Sequence, residues 1–227
     1  MKTTNLIVPI AADKPEYEHS LPHVFKTDEQ GTMLCIRSIL GLNLDNFENI
    51  WFTILKKHDE KFGIATMLES QFSKLGIRNA KVVVLDEQTK DQAETIYRTI
   101  QLCEITGSLF IKDADSYFEA EIYPGNTIAV FPIEELDILE PKNKSYVTID
   151  ESYYITNIIE KRVVGHHISV GGYSFESAEL FCEYYDKLRT IGRLYLSHII
   201  YSMLLGKLSF RPVLVKGYQD WGTKRQL

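Results

Sequence analysis

The chain is poor in the residues that staple small secreted proteins together. Its 227 residues include only 3 cysteines, Cys35, Cys103 and Cys182, far apart and each among apolar neighbours. An odd, sparse set excludes a disulfide framework, and without a C-x-x-C pair a structural zinc site has no basis. This cysteine usage points to a reducing compartment, and the expected location is cytoplasmic. Glycine is missing from the first 30 residues, so no glycine-rich phosphate loop or P-loop follows the first apolar segment. Long apolar runs are missing too. Leu6–Ile10 is too short for a signal-peptide core, and Leu194–Leu205 is interrupted by Ser197, His198 and Ser202 and falls short of a membrane span. Basic blocks are absent. With 25 Lys and Arg against 31 Asp and Glu the net charge is −6, which disfavours nucleic acid and anionic membranes as partners. Phosphate can still be held by a few local cations, or by a metal on carboxylates. Nothing in the composition sets the oligomeric state, and a homo-oligomer stays open.

What is present is the material of one soluble core: 44% apolar and 25% charged residues over a length that suits a single domain, 1–227. Leu6–Ile10, Ile50–Leu55, Lys81–Leu85 and Leu109–Ile111 are short apolar runs of the kind buried on both faces of a sheet. Between them the spacing predicts helices over Met33–Leu40, Asp59–Leu75 and Asp91–Thr106, each stopped by a glycine. That alternation implies parallel strands. The second half reads as strands over Ile128–Phe131, Tyr146–Ile149, Ile155–Glu160, His167–Tyr173 and Phe210–Val215. Turns such as Pro141-Lys142-Asn143 separate them, and helices are expected over Ser177–Leu188 and Leu194–Leu205. The expected class is α/β: a mixed sheet with helices on both faces. Ligands of such sheets sit outside the carboxyl ends of the strands, so the residues after each strand matter most.

Four groups there could carry chemistry. Asp113 and Asp115 follow Leu109–Ile111. In extended chain, positions two apart point the same way, and two carboxylates at a strand end suit a divalent cation; a turn begun by Asp is the plainer alternative. Thr89-Lys90-Asp91-Gln92 opens a helix, with Thr89 as expected N-cap and Gln92 completing a capping box, while the helix start could also serve an anion or a base. Lys161, after Glu160, could meet a phosphate, although an isolated pair of this kind is ordinarily solvated. Asp220, in Asp220-Trp221-Gly222-Thr223, could join Asp115 on one metal. His166-His167, His19 and His23 lack the spacing of a metal site, and Phe181, Tyr184 and Tyr185 have helical spacing that suits packing.

In order, these pieces resemble the sugar nucleotidyltransferase family, whose members have a GT-A-like, Rossmann-like fold. Thr89 to Thr95 is similar to the family's base-contacting T-x-G-Q-A-E-T stretch, with Asp91 in place of glycine and Gln92 retained. Ser108–Phe118 is similar to the strand carrying the metal aspartate, here Asp115. Glu160-Lys161 resembles the pair that grips the sugar phosphate. Ile168–Leu180, with Gly172, resembles the following strand and helix, and Asp220-Trp221-Gly222-Thr223 the ending that supplies the second metal ligand.

The resemblance implies Mg²⁺ or Mn²⁺ on Asp115 and Asp220, with Asp113 beside them. It implies an NTP along Ala11, Ala12, Lys14 and Gln92, and a small phosphorylated substrate on Glu160, Lys161 and Gly172. It implies Lys161, Asp115 and Asp220 as the catalytic set, and a role in cell-surface polysaccharide synthesis. The departure lies after the first strand. The family's glycine-rich loop and Pro-Lys-Pro are replaced by Ala11-Ala12-Asp13-Lys14-Pro15 and Ser20-Leu21-Pro22. Ala11–Phe25 is therefore not expected to form an ordered triphosphate cradle in the ligand-free protein. Two alternatives stay open: a nucleotide-sugar binding protein of the same fold that has lost turnover, and a GT-A glycosyltransferase using Asp113-Ala114-Asp115.

Overall fold

The computed structural model describes residues 4–136 and 143–222. Pro141, Lys142 and Thr223 lie outside them. The apolar runs become the strands β1 (Thr4–Ile10), β2 (Phe47–Leu55), β3 (Ala80–Leu85) and β4 (Ser108–Lys112). β1 pairs in parallel with β2 and β4, and β2 with β3. β6 (Thr127–Pro132), β7 (Ser145–Ile149), β8 (Ile155–Glu160), β9 (His167–Phe175) and β10 (Arg211–Leu214) extend the same sheet to nine strands. β9 is inserted antiparallel between β4 and β6, which makes the sheet mixed.

Alternation along β1 divides the core. Leu6, Val8 and Ile10 face one layer, with Cys35, Ile36, Leu68 and Phe72; Ile7 faces the other, with Ile96, Ile100, Phe181 and Ile199. The first layer carries α1 (Leu34–Arg37), α2 (Lys56–Phe62) and α3 (Ile64–Leu75). The second carries α4 (Gln92–Leu102), α5 (Ala178–Leu188) and α6 (Leu196–Leu205). Helices thus cover both faces of one α/β unit. Among the described residues no helix is long and apolar enough to cross a membrane.

Three local differences have clear causes. The single helix expected over Asp59–Leu75 is two, because Gly63 takes φ +67° and turns the chain between α2 and α3. The N-cap of α4 is Asp91, whose carboxylate accepts from the Glu94 N–H. Thr89 instead bonds the Thr95 hydroxyl at 2.7 Å. A small second sheet pairs β5 (Ser116–Glu119) with β11 (Lys216–Asp220), antiparallel, placing Asp220 opposite Ser116.

Candidate active site

The carboxyl end of β4 is built around a lysine with no access to solvent. Lys112 donates to the carbonyls of Asp113 and Ser116 and to the Ser116 hydroxyl, each at 2.8 Å, with its ammonium 4.5 Å from the centre of the Phe118 ring. Burial pushes this amine down to about 8. These bonds close residues 112–116 into a turn, so the extended spacing assumed for Asp113 and Asp115 does not hold. Asp113 accepts from the Gln92 side chain at 2.6 Å, and its N–H donates to the Gly171 carbonyl at 2.8 Å. Burial first, and Asp115 second, raise its pKa above the ordinary carboxylate value.

Asp115 looks toward the other sheet. The Trp221 N–H donates to its carbonyl at 2.8 Å, tying β11 onto the turn. A methyl group added to Gly222 would lie 2.9 Å from Asp115 Oδ2 and 3.2 Å from Asp220 Oδ1, so both carboxylates flank one point kept open by a glycine. Hard oxygens around such a gap fit Mg²⁺ or Mn²⁺. Among the described residues no set of three His, Cys, Asp or Glu could hold a metal, so water and ligand oxygens would complete the shell.

Two cavities meet at this turn. One, about 490 Å³, is lined by Ala11, Ala12 and Lys14 after β1, by Lys90 and Gln92 at the start of α4, by His23 and Arg193, and by Asp113 and Asp115. Its floor is built of short turns. Pro15–Glu18 and His23–Phe25 form 3-10 turns that bury Tyr17, Val24 and Phe25. Asp13 and Glu18 of this segment are neutralised from α2. Lys57 bonds Asp13 at 3.1 Å and also Glu18, Lys61 bonds the Glu18 carbonyl, and Asp13 meets buried His58 at 2.9 Å. No sequence motif pointed to these cations. His23 Nε2 is buried and without a hydrogen-bond partner among the described residues, and burial lowers the pKa of the ring.

The second cavity, about 280 Å³, also contains Gln92, Asp113 and Asp115 in its wall and adds Lys144, Glu160, Tyr218 and Asp220. Glu160 accepts from the hydroxyls of Ser145 and Ser197. Lys144 donates to Asp220 and, at 2.9 Å, to the Tyr218 hydroxyl. Burial alone would lower its pKa, but Tyr218 and Asp220 outweigh that and hold it above the usual value. Burial pushes Tyr218 up to about 12.

Two residues named from the sequence stand elsewhere. Lys161 leaves the strand with φ +56°, and its exposed amine rests on the Tyr195 hydroxyl at 3.0 Å, outside the cavity wall. Gly172 is buried opposite Lys112, where a Cβ would meet Phe118 at 2.6 Å and Ala129 at 2.8 Å; this glycine lets layers pack. The cavity wall is Gly171, at φ +82°, with Asp113 where its side chain would be. Lys144 and Tyr218 had no sequence signal, because both reach the site through pairing of distant strands.

The fold is that of the nucleotidyltransferases, a Rossmann-like α/β architecture. Solved structures that share it include a nucleoside-diphosphate-sugar pyrophosphorylase from Vibrio cholerae RC9, with a TM-score of 0.77 and 16% identity over 97% of this chain and 96% of that one. An inositol-1-phosphate CTP transferase from T. maritima superposes with a TM-score of 0.75 and 14% identity over 99% and 91% of the two chains. A CTP:phosphocholine cytidylyltransferase from Streptococcus pneumoniae gives 0.65 and 14% over 96% and 92%. No family model and no curated protein matches the sequence.

Proposed function

We propose that this protein transfers a nucleotidyl group from an NTP to a sugar phosphate or similar small phosphate, releasing pyrophosphate. The observation that carries this reading is two cavities sharing one wall, with Asp115 and Asp220 flanking the gap beside it. A two-substrate displacement needs adjoining seats for donor and acceptor and a charged centre where they meet. The larger cavity, with Lys14, Lys90 and Arg193 in its lining, takes the nucleotide. The smaller takes the acceptor, whose phosphate oxygen attacks the α-phosphorus. A new P–O bond forms there, and the bond to the β-phosphate oxygen breaks. Asp115 and Asp220 would hold Mg²⁺ or Mn²⁺, which when bound supplies positive charge for the phosphates. Gln92, fixed on Asp113, shapes the boundary between the seats. The role we assign to the product is in cell-surface polysaccharide synthesis.

The missing glycine loop favours a second reading, a binding protein that holds a nucleotide sugar without turnover. Incubation with Mg²⁺, each NTP in turn and a panel of sugar phosphates separates the two. Pyrophosphate is expected with at least one pair. Tight binding of nucleoside-diphosphate sugars without any pyrophosphate would leave the binding protein.

A further inference from the structure

We infer that Lys144, and not Lys161, is the cation that receives the acceptor's phosphate; the inference rests on the transfer reading above. The hairpin of β7 and β8 places the two lysines side by side. Ser145 pairs with Glu160, and the Lys161 N–H donates to the Lys144 carbonyl at 2.9 Å. Past that pair the chains diverge. Lys161, at positive φ, swings its amine out to the Tyr195 hydroxyl. Lys144 turns inward, its side chain only 18% exposed and seated against Asp220, itself 19% exposed.

Charge decides what the inward lysine is for. Among the described residues lining the smaller cavity, Lys144 is the one cation, facing the carboxylates of Asp113, Asp115, Glu160 and Asp220. A phosphate entering this space meets repulsion on every side but one. Asp220 and the Tyr218 hydroxyl engage two of the three N–H donors of an ammonium and hold its stem in the cavity. The remaining donor serves a phosphate oxygen. A lysine already fixed by two bonds also loses little side-chain entropy on meeting a ligand.

The probe is inorganic phosphate, then a hexose 1-phosphate, titrated in Mg²⁺ buffer into the full chain by calorimetry. Lys144→Met should weaken both at least about tenfold, the scale of a lost charged hydrogen bond, and Lys144→Arg should recover part of the loss. Lys187→Ala, an exposed lysine on α5, should bind like the parent. Because Lys144→Met leaves Asp220 unpaired, thermal melts accompany each titration, and Lys144→Met/Asp220→Asn tests the loss without a stranded carboxylate. A Lys144→Met protein that binds phosphate as the parent does overturns the inference. So does a parent that binds no phosphate, and so does a loss confined to Lys161→Ala. Pyrophosphate release is scored separately: phosphate held through Lys144 by a protein that never turns over retires the transfer reading and leaves this assignment standing.

Discussion

The two cavities differ in how they meet negative charge. The larger cavity, the proposed nucleotide seat, lies at the carboxyl ends of parallel strands, where backbone N–H groups of a glycine loop would be the economical answer to a triphosphate. Here that answer is missing. Lys14, Lys90 and Arg193 line the space instead, and Lys57 and Lys61 of α2 neutralise the acidic loop beneath it. The smaller cavity, the proposed acceptor seat, lies where the antiparallel β9 and the β7–β8 hairpin cross the same wall. It is acidic, with Lys144 as the lining cation. The cations of the larger cavity and its loop come from separate places in the chain: Lys14 from the loop itself, Lys90 from just before α4, Arg193 from the α5–α6 connection, and Lys57 and Lys61 from α2.

The largest expected effect comes from the wall that both sides share. Asp115→Asn or Asp220→Asn should lower pyrophosphate release roughly 10³-fold or more, since the lost charge stabilisation amounts to several kcal/mol; melting temperature should change little for Asp115→Asn and fall for Asp220→Asn, which leaves Lys144 without its carboxylate. Equal activity in both variants and parent would break the two-seat comparison.

A smaller effect, again felt on both sides, is expected of Lys112→Met. It removes three hydrogen bonds and leaves the Ser116 carbonyl short of a donor, a loss of about 1–3 kcal/mol of stability by denaturant melts. The pH dependence has a definite sign. With the folded amine at about 8 and its ordinary value 10.5, the unfolded chain binds more protons in that window, so stability contributed by this group rises as pH goes from about 8 to 10.5. Lys112→Met should lack that rise; parent and variant curves of identical shape would sink the assignment.

The smallest effect should fall on one side alone. Lys57→Ala uncovers Asp13 and Glu18, so NTP binding should weaken modestly, more at low salt than at high. Phosphate binding in the acceptor cavity should not change. Parallel losses on both sides would show that the cavities are not electrically separate.

Much of this arrangement was legible in the sequence. β1, β2, β3 and β4 are apolar runs that only a doubly covered sheet can bury, and the strand-end rule points to Ala11–Phe25 and Asp113-Ala114-Asp115 from the residues alone. The Asp115 and Asp220 motifs named two side chains that β5 and β11 bring to one gap. The strands doing so went unseen, because SYFE and KGYQD are short, polar and paired only with each other. Lys144 was hidden for a related reason: its inward direction follows from the β7–β8 register, whereas the adjacent Glu160-Lys161 carried a recognisable motif. Asp91 as helix cap, in place of Thr89, was a choice between two competent residues that local sequence does not rank.

The pairing of β11 with β5 has a consequence for the order of events at the ribosome. Asp115 emerges near the middle of synthesis, just past β4, whose pairing with β1 and β9 needs nothing from β11. Asp220 belongs to the last strand described. A growing chain released before β11 docks would carry most of its core and most of both cavities, yet hold only one of the two facing carboxylates. Completion of the site therefore reports that translation has passed β11, and a product ended before it would lack Asp220 and keep Asp115 as the lone member of the facing pair.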